Sequence, residues 1–409
     1  MQSLLGKGSA PVFSSVSSRR LDCLSLPVSV QFCSAMLACD VDGDGCNELV
    51  LGGDDGDLCI VKDSDATVVA RELGVVRFVV DVRLHDRLTL IAAVSCDGEL
   101  RVLSMHSLTR LLRLHKALLA DPSVAPAALG SPDAADALVT LCRRTVADSP
   151  PTAIYVKPCG ELGARDLLHA DLQPFDRSLT SLLYVATDTR TVSSFAIGLV
   201  AGRLECRELD TWLVPFDVVA VAPLGSMPTS TVVDDGSDDV SGVLAMYHPA
   251  LFCILAPSTP TTPARTILPT DLMFREAAVV RTGPVMVVVP HTRSDVVLGS
   301  ATNRQQLRLI FNRTRICRVD LPSPDQTRAV HLGRFSGGAD LELAAVCLSG
   351  VVYFYDRNQN LRRATLHQPL RCSTAGELSV LDPLTNTRRN ATVLAVVNVF
   401  NELSVFQFD

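Results

Sequence analysis

The sequence predicts an all-β fold and, within that class, a seven-bladed β-propeller. Two observations support this prediction. Apolar residues come in short runs rich in Val, Ile and Leu, separated by Gly, Pro, Asp, Ser and Thr, which is typical of strands and turns. One hairpin motif also recurs along the chain at a spacing close to the length of a four-stranded blade.

The hairpin motif is an apolar strand, a tight polar turn and a second strand that carries Leu or Val soon after the turn. Three copies place a glycine at the turn, namely Gly56, Gly98 and Gly350, and the fourth has Asn401 there. Glycine and asparagine tolerate the positive φ angle that such turns require. The four copies span residues 49–63, 90–104, 343–356 and 393–408.

The spacing of these turns indicates the number of blades. Gly56 and Gly98 are 42 positions apart, and Gly350 and Asn401 are 51 positions apart, both near the length of a blade. The chain between Gly98 and Gly350 has room for three blades of about 63 residues or four of about 50. The first choice gives seven blades and is preferred, while eight is the alternative. Candidate strand pairs in this part lie at 137–156, 182–197, 243–255 and 285–311.

Both ends of the chain are expected to close the ring. An apolar run, Leu21–Val28, precedes the first hairpin, and the sequence ends directly after a strand. Pairing of these two strands in one blade would leave no open sheet edge. We therefore expect residues 1–20 to form a flexible N-terminus and residues 21–409 a single propeller domain. A β-sandwich pair or two separate β-domains are the alternatives.

Composition argues against several classes of function. The chain has 37 Lys and Arg against 44 Asp and Glu, so its formal charge of −7 opposes binding to nucleic acid. No run reaches the about 18 apolar residues of a membrane helix, and no signal peptide is evident. Thirteen cysteines without a Cys-x-x-Cys pair are typical of reduced core residues. We therefore expect a cytoplasmic protein without membrane insertion.

Catalytic motifs are missing from the sequence. It contains no G-x-S-x-G, Walker-type or H-E-x-x-H segment. A single tryptophan, Trp212, argues against WD40 repeats and against quinone-dependent propeller enzymes, which rely on several. We therefore expect no enzymatic activity.

An acidic loop before the first hairpin is the most specific chemical signal. Asp40, Asp42 and Asp44 occupy alternate positions, glycines allow a tight turn, and Glu48 follows. Such an oxygen-rich loop suits Ca²⁺. An EF-hand does not fit, because its twelfth position requires a Glu and is Leu51 here, in a strand-like segment. An acidic turn, whose Asp side chains accept backbone N–H groups without a metal, is the alternative.

The loop resembles the D-x-D-x-D-G-x-x-E/D loop of FG-GAP propellers such as integrin α-subunits. That resemblance implies Ca²⁺ ligands from the side chains of Asp40, Asp42, Asp44 and Glu48 together with the backbone carbonyl of Cys46. A Ca²⁺ ion bound there would be structural and weak, and no cofactor is expected to be required.

A second loop of this shape precedes the hairpin at 343–356. When Glu342 is aligned with Glu48, Arg334, Ser336 and Gly338 take the positions of the three aspartates. These residues cannot coordinate Ca²⁺ in the same way. We expect this loop to keep the shape without the metal chemistry.

The two ends of the chain resemble the integrin-alpha FG-GAP repeat-containing family, whose member in the KICSTOR complex is a seven-bladed propeller. The resemblance implies a non-catalytic subunit whose partners are a kaptin-like propeller and a very large scaffold. This assembly places the GATOR complex, which acts on Rag GTPases, at the lysosomal surface and restrains TOR kinase signalling when nutrients are low. The segments that carry the resemblance are residues 40–53, 89–103, 341–363 and 393–406.

Three other functions stay open. The first is a subunit of a Bardet-Biedl-type ciliary cargo coat, whose propellers also carry such acidic loops. The second is an extracellular calcium-dependent adhesion or lectin-like module, which would need a signal peptide and several intact loops. The third is an enzyme, which turnover by the pure protein would indicate.

Overall fold

The computed structural model describes most of the chain. The described residues are 14–27, 30, 33, 35–62, 65–85, 88–120, 138–159, 162, 169–215, 217–223, 243–247, 251–267, 285–288, 297–301, 306–311, 315–320, 327–336, 342–355, 361–382 and 387–408. Within them lie one α-helix, α1 (Leu108–Ala120), and short 3-10 turns at Ala170–Leu172 and Arg177–Leu179. No described helix is long and apolar enough to cross a bilayer.

The rest of the regular structure is β-strand. In chain order the strands are β1 (Ser14–Ser15), β2 (Ser18–Ser25), β3 (Ala35–Cys39), β4 (Glu48–Gly52), β5 (Leu58–Lys62), β6 (Asp65–Ala70), β7 (Val76–His85), β8 (Leu88–Ser95), β9 (Glu99–Ser104), β10 (Val139–Thr145), β11 (Pro151–Lys157), β12 (Thr180–Thr187), β13 (Thr191–Val200), β14 (Arg203–Leu213), β15 (Val218–Pro223), β16 (Val243–Tyr247), β17 (Leu251–Ala256), β18 (Arg265–Ile267), β19 (Val285–Val288), β20 (Val297–Ala301), β21 (Gln306–Phe311), β22 (Arg315–Asp320), β23 (Thr327–Gly333), β24 (Glu342–Cys347), β25 (Val351–Tyr355), β26 (Leu361–Thr365), β27 (Leu370–Asp382), β28 (Thr387–Asn398) and β29 (Glu402–Phe408).

These strands form antiparallel sheets that we call blades. Over the described residues there are seven sheets: blade 1 contains β3–β6, and each following blade takes the next four strands, up to β23–β26 in blade 6. Blade 7 contains β27, β28, β29 and β2, and the short strand β1 adds in parallel to β26. The predicted all-β fold is confirmed.

The blades form a closed ring. The first strand of each blade contacts the first strand of the next, and β27 of blade 7 contacts β3 of blade 1. The N-terminal strand β2 pairs antiparallel with the C-terminal strand β29, from Ser18 opposite Phe408 to Ser25 opposite Glu402. The predicted closure by both chain ends is confirmed, and it leaves no gap between the first and last blades.

The N-terminal boundary differs from the sequence-based one. Strand β2 begins at Ser18, three residues before the predicted start of the propeller, and β1 lies earlier still at Ser14–Ser15. Residues 1–13 of the expected flexible segment lie outside the described residues. The prediction began at Leu21 because Arg19 and Arg20 are not apolar, but an outer strand of a blade needs apolar residues on one face only.

The candidate strand pair at 137–156 is wrong. Strands β10 and β11 do lie there, but β10 pairs with β9 in blade 2 and β11 pairs with β12 in blade 3. The five residues between them connect two blades, and the Asp-Ser-Pro sequence at 148–150 has the composition of a hairpin turn. The pairs at 182–197 and 243–255 do form, as β12 with β13 and β16 with β17.

One turn geometry recurs in blades 1, 2, 3, 6 and 7, between the second and third strands. Each turn closes with a backbone hydrogen bond from its last residue to the carbonyl three positions earlier. That last residue has a positive φ in every case: Gly56 (85°), Gly98 (75°), Arg190 (63°), Gly350 (85°) and Asn401 (64°). The four turn residues that the hairpin motif indicated are therefore confirmed, and Arg190 adds a fifth.

Each of these turns is fastened to the connection that leads to the next blade. The carbonyl of the turn's last residue accepts a hydrogen bond of 2.8–3.1 Å. The donor is a backbone N–H group that lies no more than three residues after the blade's fourth strand. All five donors are buried apolar residues, namely Leu73, Val146, Val214, Leu366 and Leu26. Because the same bond is made in all five blades, the loops on this face are held in fixed positions.

The hydrophobic core lies in layers between neighbouring blades. Between blades 6 and 7, the rings of Phe335, Phe354 and Phe408 pack against one another with centroids 4.6–6.3 Å apart. Between blades 2 and 3, helix α1 adds Leu111 and Leu114 to the layer from its position after β9. The sequence analysis did not predict this helix. Of the twelve cysteines for which the structure gives a burial, six are buried.

His331 on β23 provides a pH-dependent contact between blades 6 and 7. Its Nε2 lies 2.8 Å from Ser373 Oγ on β27, and burial lowers its pKa from 6.5 to about 4. The unfolded chain binds this proton more tightly, so the stabilisation is complete above pH 6.5 and is lost as the pH falls toward 4. We expect the wild type to lose about 3 kcal/mol over this range relative to His331→Gln. Urea unfolding of both proteins from pH 7.5 to 4.5 tests this, and parallel pH profiles would contradict it.

Candidate metal centre

The acidic loop connects β3 and β4 in blade 1. The strand pair Cys39 and Glu48 closes its base. Within the loop, Gly43 and Gly45 have φ angles of 80° and 88°, which glycine adopts without strain. The loop therefore turns back on itself within a few residues and brings its carboxylates together.

The carboxylates first hold the backbone of the loop. Asp40 accepts N–H bonds from the two loop glycines at 2.7 and 2.9 Å. Asp42 accepts one from Asp44 at 3.2 Å, and Asp44 accepts one from Cys46 at 2.7 Å. Glu48 accepts an N–H bond of 2.9 Å from Val41. Cys46 enters these contacts through its N–H, so the ligand role of its carbonyl stays a prediction.

Three of the predicted ligands form a compact group of oxygens. Atoms of Asp40, Asp42 and Glu48 lie within 4.8 Å of one another. Burial raises the pKa of Asp40 and raises that of Glu48 to about 7. Because a nearby positive charge would favour their ionised forms, the group attracts a cation.

The cation among these oxygens is the ammonium group of Lys62, the last residue of β5. Its Nζ lies 2.6 Å from Asp42, 2.6 Å from Asp44 and 3.2 Å from Glu48. Burial lowers the pKa of Lys62, but hydrogen bonds to Asp42 and Asp44 outweigh that effect and raise it. Burial likewise raises the pKa of Asp44, but the bond from Lys62 outweighs it, so the pKa is lowered. Lys62 therefore remains charged.

A Ca²⁺ ion does not fit beside this ammonium group. Ca²⁺ lies about 2.3–2.6 Å from its oxygen ligands, and Nζ of Lys62 already lies 2.6 Å from Asp42 and Asp44. Two cations sharing these oxygens would repel each other strongly. Calcium binding stays a prediction, and it requires Lys62 to move away.

The loop also joins three blades. Asn47 donates a side-chain hydrogen bond of 2.6 Å to the carbonyl of Glu377 in blade 7. On the other side, His106, which follows the third strand of blade 2, has Nε2 3.1 Å from the carbonyl of Asp42. The loop in blade 1 thus contacts both neighbouring blades next to the ring closure.

Sequence reasoning missed Lys62, although two signals pointed to it. Lysine is rare in this chain, with only Lys7, Lys62, Lys116 and Lys157 present. In the hairpin of β4 and β5, Leu49 pairs with Val61, so the next positions outward are Glu48 and Lys62. A register drawn from the turn at Gly56 would have placed this rare lysine opposite the glutamate.

The corresponding loop in blade 6 follows the same plan. Glu342 at the start of β24 accepts an N–H bond of 2.8 Å from Ser336 and forms an ion pair with Arg362 of β26. Arg334 is exposed, and Gly338 lies outside the described residues. In both loops a buried glutamate therefore binds loop backbone with one oxygen and a basic side chain of the same blade with the other.

Comparison with protein families and with curated proteins finds no match. Among solved structures, the chain is similar to BBS1N in complex with ARL6DN, with 13% identity, a TM-score of 0.55 and coverage of 97% of this chain and 98% of that one. It is also similar to Sqt1 of Saccharomyces cerevisiae, with 10% identity, a TM-score of 0.51 and coverage of 98% and 99%. At these identities the likeness concerns the fold, and together with the closed ring of sheets it shows that the chain is a β-propeller.

Proposed function

We propose that this protein is a non-catalytic β-propeller subunit of a multi-protein complex. The observation that carries the proposal is the closed ring whose turns are fastened to the connections between blades by a repeated backbone hydrogen bond. Such a ring presents loops in fixed positions, which lowers the ordering cost of binding a partner.

The polar groups of the described residues support a non-catalytic role. Glu48 and Glu342 bind loop backbone and a basic side chain, and Glu99 bridges Arg101 and Arg143 at 2.6 Å each. These carboxylates connect strands within a blade. Their partners leave them poorly placed for proton transfer to a substrate.

Two assemblies are candidates for the complex. The first is a KICSTOR-like assembly with a kaptin-like propeller and a very large scaffold, acting through GATOR and Rag GTPases on TOR signalling. It is supported by the sequence resemblance of the two chain ends and would place this cytoplasmic protein at the lysosomal surface. The second is a Bardet-Biedl-type ciliary cargo coat. It is supported by the fold likeness to BBS1N, which was crystallised in complex with ARL6DN.

An exposed apolar turn in blade 7 is the best candidate for a partner contact. Four of the recurring turns carry a polar residue before the positive-φ position, but blade 7 has Phe400 there, 74% exposed and next to exposed Val399. The other four residues are Asp55, Asp97, Thr189 and Ser349. Exposed apolar side chains of this size are frequent at interaction sites.

The turn that carries Phe400 is held rigidly by the buried side chain of Asn398. Its Oδ1 accepts N–H bonds from Phe400 and Glu402 at 2.9 and 3.0 Å. Its Nδ2 donates to Gln368 and Glu402 at 3.1 and 2.8 Å. The aromatic ring is thus presented to solvent on a fixed backbone, a favourable state for an anchor residue.

We expect Phe400→Ser to reduce the recovery of partner proteins in tagged purification. The Tm should stay within about 1 °C of the wild type, because an exposed side chain contributes little to folding. Leu213→Ser is the matched control, since Leu213 is 78% exposed at the end of a blade 3 strand that leads to the same face. Equal recovery with wild type and Phe400→Ser would exclude this turn as a contact.

The test of the proposal itself is mass spectrometry of the proteins that co-purify from native cells. A kaptin-like propeller with a very large scaffold would support the KICSTOR-like assembly, and ciliary coat subunits would support the second assembly. Recovery of the protein alone, together with substrate turnover by the pure protein, would contradict the subunit role.

A further inference from the structure

The ammonium group of Lys62 contacts three of the four carboxylates that the acidic loop would offer to a metal ion. We infer that Lys62 is the permanent cation of the acidic loop in blade 1 and replaces the Ca²⁺ that a loop of this sequence would otherwise bind. The loop is then closed by ion pairs among the protein's own side chains, and its structure is independent of calcium.

The contacts of Lys62 are those a bound cation would make. Its Nζ contacts Asp42, Asp44 and Glu48, three of the four side chains that the sequence pattern assigns to a metal. The fourth, Asp40, is occupied by N–H groups of the loop. Because an ammonium group has three N–H donors, three carboxylate partners satisfy it completely.

The attachment of Lys62 makes this occupation permanent. The side chain extends from the last residue of β5, directly across the strand pair from Glu48. A tethered cation loses little translational freedom on binding and has a high effective concentration at the site. Ca²⁺ would have to displace it from the carboxylates with which it is already paired.

The loop in blade 6 supports the same inference independently. Its glutamate, Glu342, is paired with Arg362 of the same blade, although the aspartates of the blade 1 loop have no counterparts among its described residues. Two glutamates at the same position in their blades, Glu48 and Glu342, are thus each paired with a basic side chain of their own blade. The pairing does not depend on the full acidic motif.

The acidic loop of blade 1 also affects the ring of blades. Asn47 connects the loop to blade 7, and the Asp42 carbonyl connects it to blade 2, beside the ring closure. If Lys62 holds this loop, chelation of calcium leaves the contacts of the loop with blades 7 and 2 intact. Stability of the propeller should then be unchanged by a chelator.

Amine labelling of the wild-type protein tests the inference directly. We expect Lys62 to react with acetic anhydride at least about tenfold more slowly than exposed Lys116 on α1, because its N–H donors are held by three carboxylates and its side chain is only 35% exposed. Addition of about 5 mM Ca²⁺ should change neither this rate nor the Tm, since an ion that does not bind cannot stabilise. A rise in both the Lys62 rate and the Tm with Ca²⁺ would show that calcium displaces the lysine and would overturn the inference.

The Lys62→Met variant provides a second test of the inference. Lys62→Met keeps the length of the side chain without its charge, and we expect Ca²⁺ to raise the Tm of this variant by about 2 °C or more. Lys116→Met is the matched control and should show no response. A folded Lys62→Met protein without a Ca²⁺ response would contradict the replacement of calcium by lysine. If the variant does not fold, the labelling of the wild type decides the question.

Discussion

Replacing Gly98 by alanine is expected to destabilise the propeller by about 4 kcal/mol. A Cβ atom at this position would lie 2.1 Å from the carbonyl oxygen of Ala147 and 2.8 Å from its carbonyl carbon. The contact is with backbone that a hydrogen bond from Val146 holds in place, so neither side can yield cheaply. The φ of 75° adds the strain that an L-residue experiences in the left-handed region.

Gly202→Ala is the matched control for this prediction. Gly202 has a φ of 80° but no atom within 4 Å of the added Cβ, so only backbone strain of about 1 kcal/mol is expected. Chemical unfolding of both variants separates the two contributions. Gly350→Ala should behave like Gly98→Ala, because its Cβ would lie 2.1 Å from the carbonyl of Gln368. Equal destabilisation of all three variants would refute the steric explanation.

Deletion of residues 1–25 is expected to have an even larger effect, namely loss of the folded monomer. It removes β2, whose seven paired residues cover β29, and leaves that strand as an open edge in the middle of the ring closure. Unpaired N–H and C=O groups on such an edge recruit other chains. We expect the truncated protein to oligomerise or aggregate, as measured by size-exclusion chromatography with light scattering.

Deletion of residues 1–13 is the control for the truncation, since it removes no described strand. We expect this shorter deletion to leave a monomer with an unchanged Tm. Addition of a synthetic peptide covering residues 14–27 should partly restore the monomer of the longer deletion. A monomeric, fully stable protein lacking residues 1–25 would show that the terminal strand does not close the ring.

Much of the fold was predictable because the signals are local. Gly56, Gly98, Gly350 and Asn401 end turns whose φ angles only a few residue types adopt readily, so the residue type itself marks the turn. The strand pair at 182–197 was predicted, but its turn residue was not identified, because the turn ends at Arg190, a residue with no such preference. Arg190 has a φ of 63°, and its carbonyl accepts the same hydrogen bond, here from Val214, that is found in the other four turns.

The helix and the blade boundary at residues 146–150 needed the tertiary structure for a different reason. Polar connections look alike in sequence whether they join two strands of one blade or two blades, and pairing partners distinguish them. Helix α1 is amphipathic, but its stability comes from packing of Leu111 and Leu114 between blades 2 and 3. Neither the helix nor the blade boundary can be recognised from neighbouring residues of the sequence alone.

The sequence by itself determined the propeller class, its closure by both chain ends and the gathering of acidic residues in one loop, because strand periodicity, turn chemistry and loop spacing are written in neighbouring residues. Tertiary structure alone decided what occupies that loop. Lys62 is 14 positions from Glu48, and only the register of β4 against β5 brings its ammonium group to the carboxylates. Charge neutralisation at this site depends on through-space distance, which the order of residues along the chain does not specify.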